Sequence, residues 1–114
     1  MLIRINRLYR PTMSATELYD ATRASWKVGN RRGKVKYALA VFEGIVREVY
    51  GVTAWLPSGS TFNSRFPRGD GRRDRWEFVG RLADDSVRRR YVDRFVGHLF
   101  PRGAQNPIAY LNVR

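Results

Sequence analysis

The residues best suited to chemistry are an indole and the cations that follow it. Trp26 ends an amphipathic segment, and Arg31, Arg32, Lys34 and Lys36 come directly after it. A base stacked on an aromatic ring gains about 1–3 kcal/mol, and basic side chains attract phosphate whatever the base sequence. The pattern therefore predicts a base-stacking wall at Trp26 with phosphate contacts beside it. The alternative, which the residues leave open, is that Trp26 is a core residue and the basic run is a solvated face.

A second aromatic and basic group lies in residues 56–74, a stretch rich in Pro, Gly, Ser and Arg with no periodicity. Such a segment is too long for a plain connection and predicts a binding loop or a disordered one. Trp55 stands at its entrance and is a candidate base contact or a core residue. The loop's aromatic and basic residues predict a clamp over a nucleic-acid strand, unless the rings pack back onto the core; they are Phe62, Phe66, Arg65, Arg68, Arg72 and Arg73.

Polar side chains near these groups are candidates for reading a base edge. Asn6 carries a bidentate amide of the kind that suits adenine. Ser25 and Lys27 flank Trp26, so they and the backbone around them are further candidates for base contacts. Gln105 and Asn106 have the same chemistry, although Asn106 precedes a proline and is typical of a turn.

The sequence offers few residues for catalysis or metal binding. With no cysteine, the chain has no thiolate nucleophile, disulfide or Cys-ligated zinc. His98 is the single histidine and lies among apolar residues, and nothing resembles a nucleophile elbow. We therefore predict no metal, no cofactor and no enzymatic activity. The alternative from a different class is a small hydrolase with Glu48 or Glu77 as base and Lys27 as electrostatic partner.

The net charge is the strongest compositional fact. The 114 residues carry +12, and 19 of the 22 basic residues are arginine. Arginine pairs bidentately with phosphate and stacks on rings, so the excess predicts a nucleic-acid partner. An apolar run of about 20 residues, as needed to span a bilayer, is absent. We expect one soluble, cytoplasmic domain over residues 1–114 with no membrane partner.

The periodicities predict an α+β order of strand, helix, hairpin, long loop, strand, helix and strand. Ser14 and Glu17 form a capping box that begins a helix ending at Trp26. The second helix should turn Val87, Tyr91 and Phe95 inward. The strands are expected at Leu2–Arg10, Tyr37–Phe42, Ile45–Trp55, Arg75–Leu82 and Ile108–Val113, and the second helix from Asp84 to about Phe95.

This order resembles the PUA-like superfamily, and within it the EVE and YTH domains. The likeness rests on SATELYDATRASW, on YALAVFEGIVREVYGV and on RWEFVGRLADDSVR, and spans roughly Ser14 to Arg90. It implies a small β-barrel or half-barrel with two or three flanking helices. It also implies that a modified or extruded base is held between aromatic side chains. YTH domains take a second wall from a Trp in the long loop, and here Phe62, Phe66 or Trp55 would have to replace it.

Together these observations predict a non-catalytic nucleic-acid-binding module, either DNA- or RNA-directed, linked to restriction or RNA modification. A nuclease or other effector is a candidate partner. The related ASCH domains carry a Gly-x-Lys-x-x-Glu-x-Arg signature that this sequence lacks, so the resemblance does not imply their hydrolase activity. A small ASCH-like hydrolase acting on modified nucleosides is the alternative function. A non-selective RNA-binding accessory is a third possibility.

Overall fold

Five strands and two helices follow the predicted order of elements. The computed structural model describes residues 1–65, 74–103 and 105–111. In this part of the chain no helix has the length and apolarity needed to cross a bilayer. The strands are β1 (Leu2–Arg4), β2 (Tyr37–Phe42), β3 (Ile45–Pro57), β4 (Trp76–Leu82) and β5 (Ile108–Ala109); the α-helices are α1 (Ala15–Arg23) and α2 (Asp85–Tyr91), with 3-10 turns at Asn30–Lys34 and Gly97–Leu99.

The strands form one mixed sheet in the order β4-β3-β2-β1-β5. β1 runs parallel to β2, and every other neighbouring pair is antiparallel. Closing a barrel would require β4 to pair with β5, and β5 has only two residues. The sheet of the described residues is therefore open, so of the two predicted forms, barrel or half-barrel, the closed barrel is not formed. The α+β class is confirmed.

The central hairpin is built as the sequence predicts. β2 and β3 are joined by Glu43 and Gly44, whose φ angles of 50° and 80° lie in the left-handed region. Two such residues in succession match the right-handed twist of a hairpin. Phe42 pairs directly with Ile45, so the loop has only these two residues.

Both faces of the sheet are covered, which explains the continuous apolar run in β2. Ala38 and Ala40 face a cluster that includes residues of α1, among them Tyr19. Leu39 and Val41 face the opposite cluster, which includes Val87 of α2. The sheet thus lies between two helical layers, and successive β2 residues are buried on alternate sides.

Helix α1 begins as predicted but ends three residues earlier. Ser14 and Glu17 make both hydrogen bonds of the capping box. The helix ends at Arg23 because the chain becomes extended at Ala24 and then pairs with β4. Trp26 and Trp76 exchange backbone hydrogen bonds of 2.9 and 2.8 Å, which a helical Trp26 could not make.

Several other helices and strands are shorter than the pattern predicted. β1 ends at Arg4 rather than Arg10, since the chain turns at residues 6–8. α2 ends at Tyr91, and the segment after it pairs with the hairpin, where Val96 N–H donates to the Gly44 carbonyl at 2.7 Å. Tyr91 and Phe95 are 36% and 59% exposed, so their predicted inward orientation is wrong. β5 spans Ile108–Ala109, and residues 112 and 113 of its predicted range lie outside the described part.

The contact between β3 and β4 depends on a glycine. A Cβ added to Gly80 would lie 2.0 Å from the Gly51 carbonyl oxygen and 3.3 Å from the Val52 Cα. These are backbone atoms of the paired strand and cannot rotate away. We expect Gly80→Ala to lower the free energy of unfolding by about 1–3 kcal/mol, measured by urea denaturation.

Gly29→Ala is the matched control for this substitution. Its φ is −87°, and no atom lies within 4 Å of an added Cβ. It should change stability by less than about 1 kcal/mol. Equal effects of the two substitutions would contradict the close approach of the strands.

Candidate functional site

One cavity of about 700 Å³ is lined by four arginines from three segments of the chain. We call it the arginine cavity and define it by Arg4, Arg7, Arg65 and Arg75. No acidic residue of the described chain lines it. Predicted base contacts meet at this cavity, which is also lined by Asn6, Ser25, Trp26 and Gln105.

A second cavity of about 540 Å³ combines indoles with cations. We call it the tryptophan cavity and define it by Trp55, Trp76, Arg32, Lys34 and Lys36. The Arg32 guanidinium lies 3.5 Å from the centre of the Trp76 ring, close enough for a cation–π contact. Here too, none of the described lining residues is acidic.

The two cavities are linked through the bridge between Trp26 and Trp76. Trp26 lines the arginine cavity, and its hydrogen-bonded partner Trp76 lines the tryptophan cavity. Both cavities also border the core cluster on the α1 side of the sheet. Ile5 of this cluster lines the arginine cavity, and Val35 of the same cluster lines the tryptophan cavity. One short piece of backbone therefore positions a wall of each cavity.

Trp26 itself is mostly a core residue. It is 8% exposed, and its indole N–H donates to the Thr22 carbonyl at 2.7 Å. That exposed area is too small for a base to cover a face of the ring. Trp26 thus touches the arginine cavity with a small part of its surface, while Trp55 and Trp76 are the half-buried indoles of the site.

A buried ion-pair network fixes the loop next to the arginine cavity. Arg23 is 3% exposed and lies 3.0 Å from both Asp20 and Glu77. Glu77 in turn accepts backbone N–H bonds from Gly59 at 2.6 Å and Ser60 at 3.1 Å. The network ties α1 and β4 to the start of the loop predicted over residues 56–74. This part of the loop is therefore anchored.

Asp20 continues the network toward Arg65. Its carboxylate accepts the Ser64 N–H at 3.0 Å, and its backbone carbonyl accepts from Asn63 at 3.0 Å. Burial opposes ionisation of Asp20, but hydrogen bonds from Ser64 and Arg23 outweigh burial and lower the pKa of the carboxyl. Asn63 then accepts the Arg65 N–H at 2.9 Å, so the network sets the position of a lining residue.

Neutral carbonyl groups hold three of the arginines that line the arginine cavity. Arg65 donates to the Ala24 carbonyl at 2.9 Å, and Arg75 donates to the next carbonyl, that of Ser25, at 3.0 Å. Arg4 donates to the Asn106 carbonyl at 2.7 Å. Carbonyl oxygens orient a guanidinium without cancelling its charge. Burial lowers the pKa of Arg65, and the Asp20 carboxylate acts in the opposite direction.

Apart from Asn6, the remaining predicted residues lie away from the two cavities or outside the described residues. Asn6 uses its side-chain oxygen to accept the Glu43 N–H at 2.9 Å. Lys27 is exposed and lines neither cavity. Phe62 is 79% exposed, and Arg31 lies over the Tyr110 ring at 4.1 Å, away from both cavities. Phe66, Arg68, Arg72 and Arg73 lie outside the described residues.

The two carboxylates of the hydrolase alternative are both ion-paired. Glu48 makes a bidentate pair with Arg88 at 2.8 and 3.0 Å, and Glu77 is buried against Arg23. Neither carboxylate lines the arginine cavity or the tryptophan cavity. The geometry of these two carboxylates suits structural pairing.

Sequence reasoning missed Trp76 and three arginines. The alternation of Trp76 with Phe78 in the sequence predicts that both are core residues. Phe78 is fully buried, but Trp76 is half-buried and lines a cavity. Arg4, Arg7 and Arg75 converge only through tertiary structure. The available signal for Arg4 and Arg7 was the alternation of basic and apolar residues at the start of the chain.

Compared with protein-family models, curated protein sequences and solved structures, the chain matches none of them.

Proposed function

We propose that this protein is a nucleic-acid-binding module that holds an unpaired or extruded base in the tryptophan cavity. Phosphates would be bound by the basic residues of that cavity, Arg32, Lys34 and Lys36. Trp26, Asn6 and Ser25 would contact the adjoining part of the strand from the arginine cavity. The observation that carries the proposal is the separation of charge around the two cavities.

The charge separation is clear in the ion pairs. The acidic side chains Glu17, Glu48 and Glu77 pair with Arg10, Arg88 and Arg23 respectively, and none of these three arginines lines the arginine cavity or the tryptophan cavity.

Seven basic residues line the two cavities, and no acidic residue of the described chain does. A surface that concentrates one sign of charge in concave sites attracts a polymer of opposite charge.

The tryptophan cavity has the size and chemistry for a base. Its volume of about 540 Å³ falls within the range of small-ligand sites. Indole faces and the guanidinium plane of Arg32 both stack on bases, and stacking tolerates any base because each has a π face. Lys34 and Lys36 lie on the same cavity and would neutralise the neighbouring phosphates.

The finer parts of the proposal come from the resemblance. The order of strand, helix, hairpin, strand, helix and strand is the order seen in PUA-like domains, and we keep this relation, with an open half-barrel, as part of the proposal. The relation to PUA-like domains supports the proposal that the bound base carries a modification. The aromatic wall would then be supplied by Trp55 and Trp76 in place of Trp26.

Substitutions at Trp55 test the stacking role. Its indole N–H is buried without an acceptor among the described residues, so Trp55→Phe removes no hydrogen bond. We expect Trp55→Leu to weaken binding of a labelled single-stranded oligonucleotide by about 10-fold, and Trp55→Phe to retain most of the affinity. Fluorescence anisotropy titration measures both.

The same titrations separate the parts of the proposal. Equal affinity of wild type, Trp55→Phe and Trp55→Leu would exclude stacking at this cavity. Oligonucleotides with and without methylated bases should differ in affinity if the base is read, and equal affinities would indicate a non-selective binder. Trp26→Ala is a poor probe because it removes a core side chain and its hydrogen bond to Thr22.

A further inference from the structure

The arginine cavity has a different composition from the tryptophan cavity and calls for a different ligand. Among the described residues, its charged lining consists of four guanidinium groups, with no lysine. Guanidinium is the group that binds planar or bidentate oxyanions most specifically, whereas lysine acts as a point charge. The ligand should therefore present several oxygens and more than one negative charge.

We infer that the arginine cavity binds a phosphate monoester, which on a nucleic acid is its terminal phosphate. This inference rests on the proposed function for the identity of the molecule that carries the monoester. An internal phosphodiester has one negative charge and two free oxygens. A monoester carries about 1.5–2 negative charges near neutral pH and has three free oxygens.

The positions of the arginines support a multiply charged group. Arg65 and Arg75 are held by the consecutive carbonyls of Ala24 and Ser25, at 2.9 and 3.0 Å. Arg4 is held from another segment by the Asn106 carbonyl at 2.7 Å. These contacts fix three guanidinium groups around one cavity before any ligand arrives. Preorganised donors cost less to order on binding than mobile side chains do.

The arrangement contrasts with the arginines that have structural roles. Arg23 and Arg88 are held by carboxylates, which satisfy their charge as well as their geometry. Arg75 instead donates to a neutral oxygen, the Ser25 carbonyl, at 3.0 Å. Four guanidinium groups line one cavity among the described residues, so an anion that enters is attracted by all of them.

The cavity also has room and polar groups for the sugar or base next to the phosphate. Its volume of about 700 Å³ exceeds what a phosphate fills. Gln105 and Asn6 line it and supply amide groups. Two ligands share this phosphate chemistry, the end of an oligonucleotide and a free phosphate. An experiment can distinguish them.

The test compares three oligonucleotides of one sequence: 5′-phosphorylated, 3′-phosphorylated and without a terminal phosphate. We expect one of the phosphorylated forms to bind wild type about 10-fold more tightly than the unphosphorylated form, because charge-assisted hydrogen bonds are the strong ones. The ratio should fall below about 2-fold in Arg75→Gln and in Arg7→Gln. Arg89→Gln removes an exposed arginine outside both cavities and should keep the ratio.

The outcomes distinguish this inference from the proposed function. Equal affinity of wild type for all three oligonucleotides overturns the inference and leaves nucleic-acid binding intact. If no oligonucleotide binds, the proposed function fails, and inorganic phosphate alone becomes the probe. A rise in melting temperature with millimolar phosphate in wild type but not in Arg75→Gln then supports a monoester site for a free ligand. No rise in wild type overturns it.

Using both Arg75→Gln and Arg7→Gln guards the result against the misfolding of one variant. Arg7 is exposed, and its side chain takes part in none of the hydrogen bonds among the described residues. Melting temperatures close to that of wild type establish that both variants are folded. A ratio that stays near 10-fold in both folded variants overturns the inference.

Discussion

Replacing Glu77 by alanine should lower the free energy of unfolding by about 3–5 kcal/mol. Glu77 is 1% exposed, and its loss would leave the buried Arg23 without the partner 3.0 Å away. It would also leave the Gly59 and Ser60 N–H groups without their acceptor. Since small domains are stable by about 5–15 kcal/mol in total, this loss would be a large fraction of the free energy of unfolding. Urea denaturation followed by circular dichroism measures the change.

Two variants serve as controls for this result. Glu77→Gln keeps an acceptor for the loop N–H groups, so it should cost less than alanine. Arg10→Ala breaks the ion pair with Glu17, where the two side chains are 64% and 44% exposed, and should cost less than about 1 kcal/mol. A loss at Glu77→Ala no larger than that at Arg10→Ala would contradict the description of the network as buried and coupled.

Neutralising the basic side of the tryptophan cavity should have the largest effect on binding. The triple variant Arg32→Ala, Lys34→Ala and Lys36→Ala removes every cation that lines this cavity in the described structure. It also removes the guanidinium that lies over Trp76. We expect the affinity for single-stranded nucleic acid to fall about 100-fold or more at 0.1 M salt, since each charged contact to phosphate is worth more than a neutral one.

A matched triple variant separates this site from the general positive charge. Arg81, Arg89 and Arg90 are exposed and line neither cavity, so replacing all three by alanine lowers the net charge equally. Their loss should weaken binding by less than about 5-fold through the long-range field alone. Equal losses in the two triple variants would show that the charge of the protein, and not the cavity, drives binding.

The sequence predicted those parts of the fold that short-range patterns encode. The capping box at Ser14 and Glu17, the two-residue turn at Glu43 and Gly44, and the central hairpin all depend on residues close together in the chain. The end of α1 could not be predicted in the same way. It is set by the bridge between Trp26 and Trp76, which are 50 residues apart, and tertiary pairing of this kind overrides helical periodicity.

The candidate site was predicted only in part, for a related reason. Chain proximity correctly placed Arg32, Lys34 and Lys36 together, yet it assigned them to Trp26 when they share a cavity with Trp55 and Trp76. Contacts from distant segments decide that Trp26 is buried while Trp55 and Trp76 are half-buried.

The arginine cavity shows the same limit more strongly. Arg4, Arg65 and Arg75 come from three separate segments, and no local spacing brings them together. Arg23 was equally hidden, because an arginine on an amphipathic helix looks like a surface residue until its buried partners Asp20 and Glu77 are known.

The salt dependence of binding tests the central claim most directly. Wild type should be titrated with a labelled single-stranded oligonucleotide at several salt concentrations between 50 and 200 mM, beside the triple variant of Arg32, Lys34 and Lys36. If the tryptophan cavity neutralises about three phosphates, the slope of log affinity against log salt should be less steep in the variant by about 2. A wild-type affinity that does not change with salt, or an identical slope in the variant, would contradict nucleic-acid binding at this cavity.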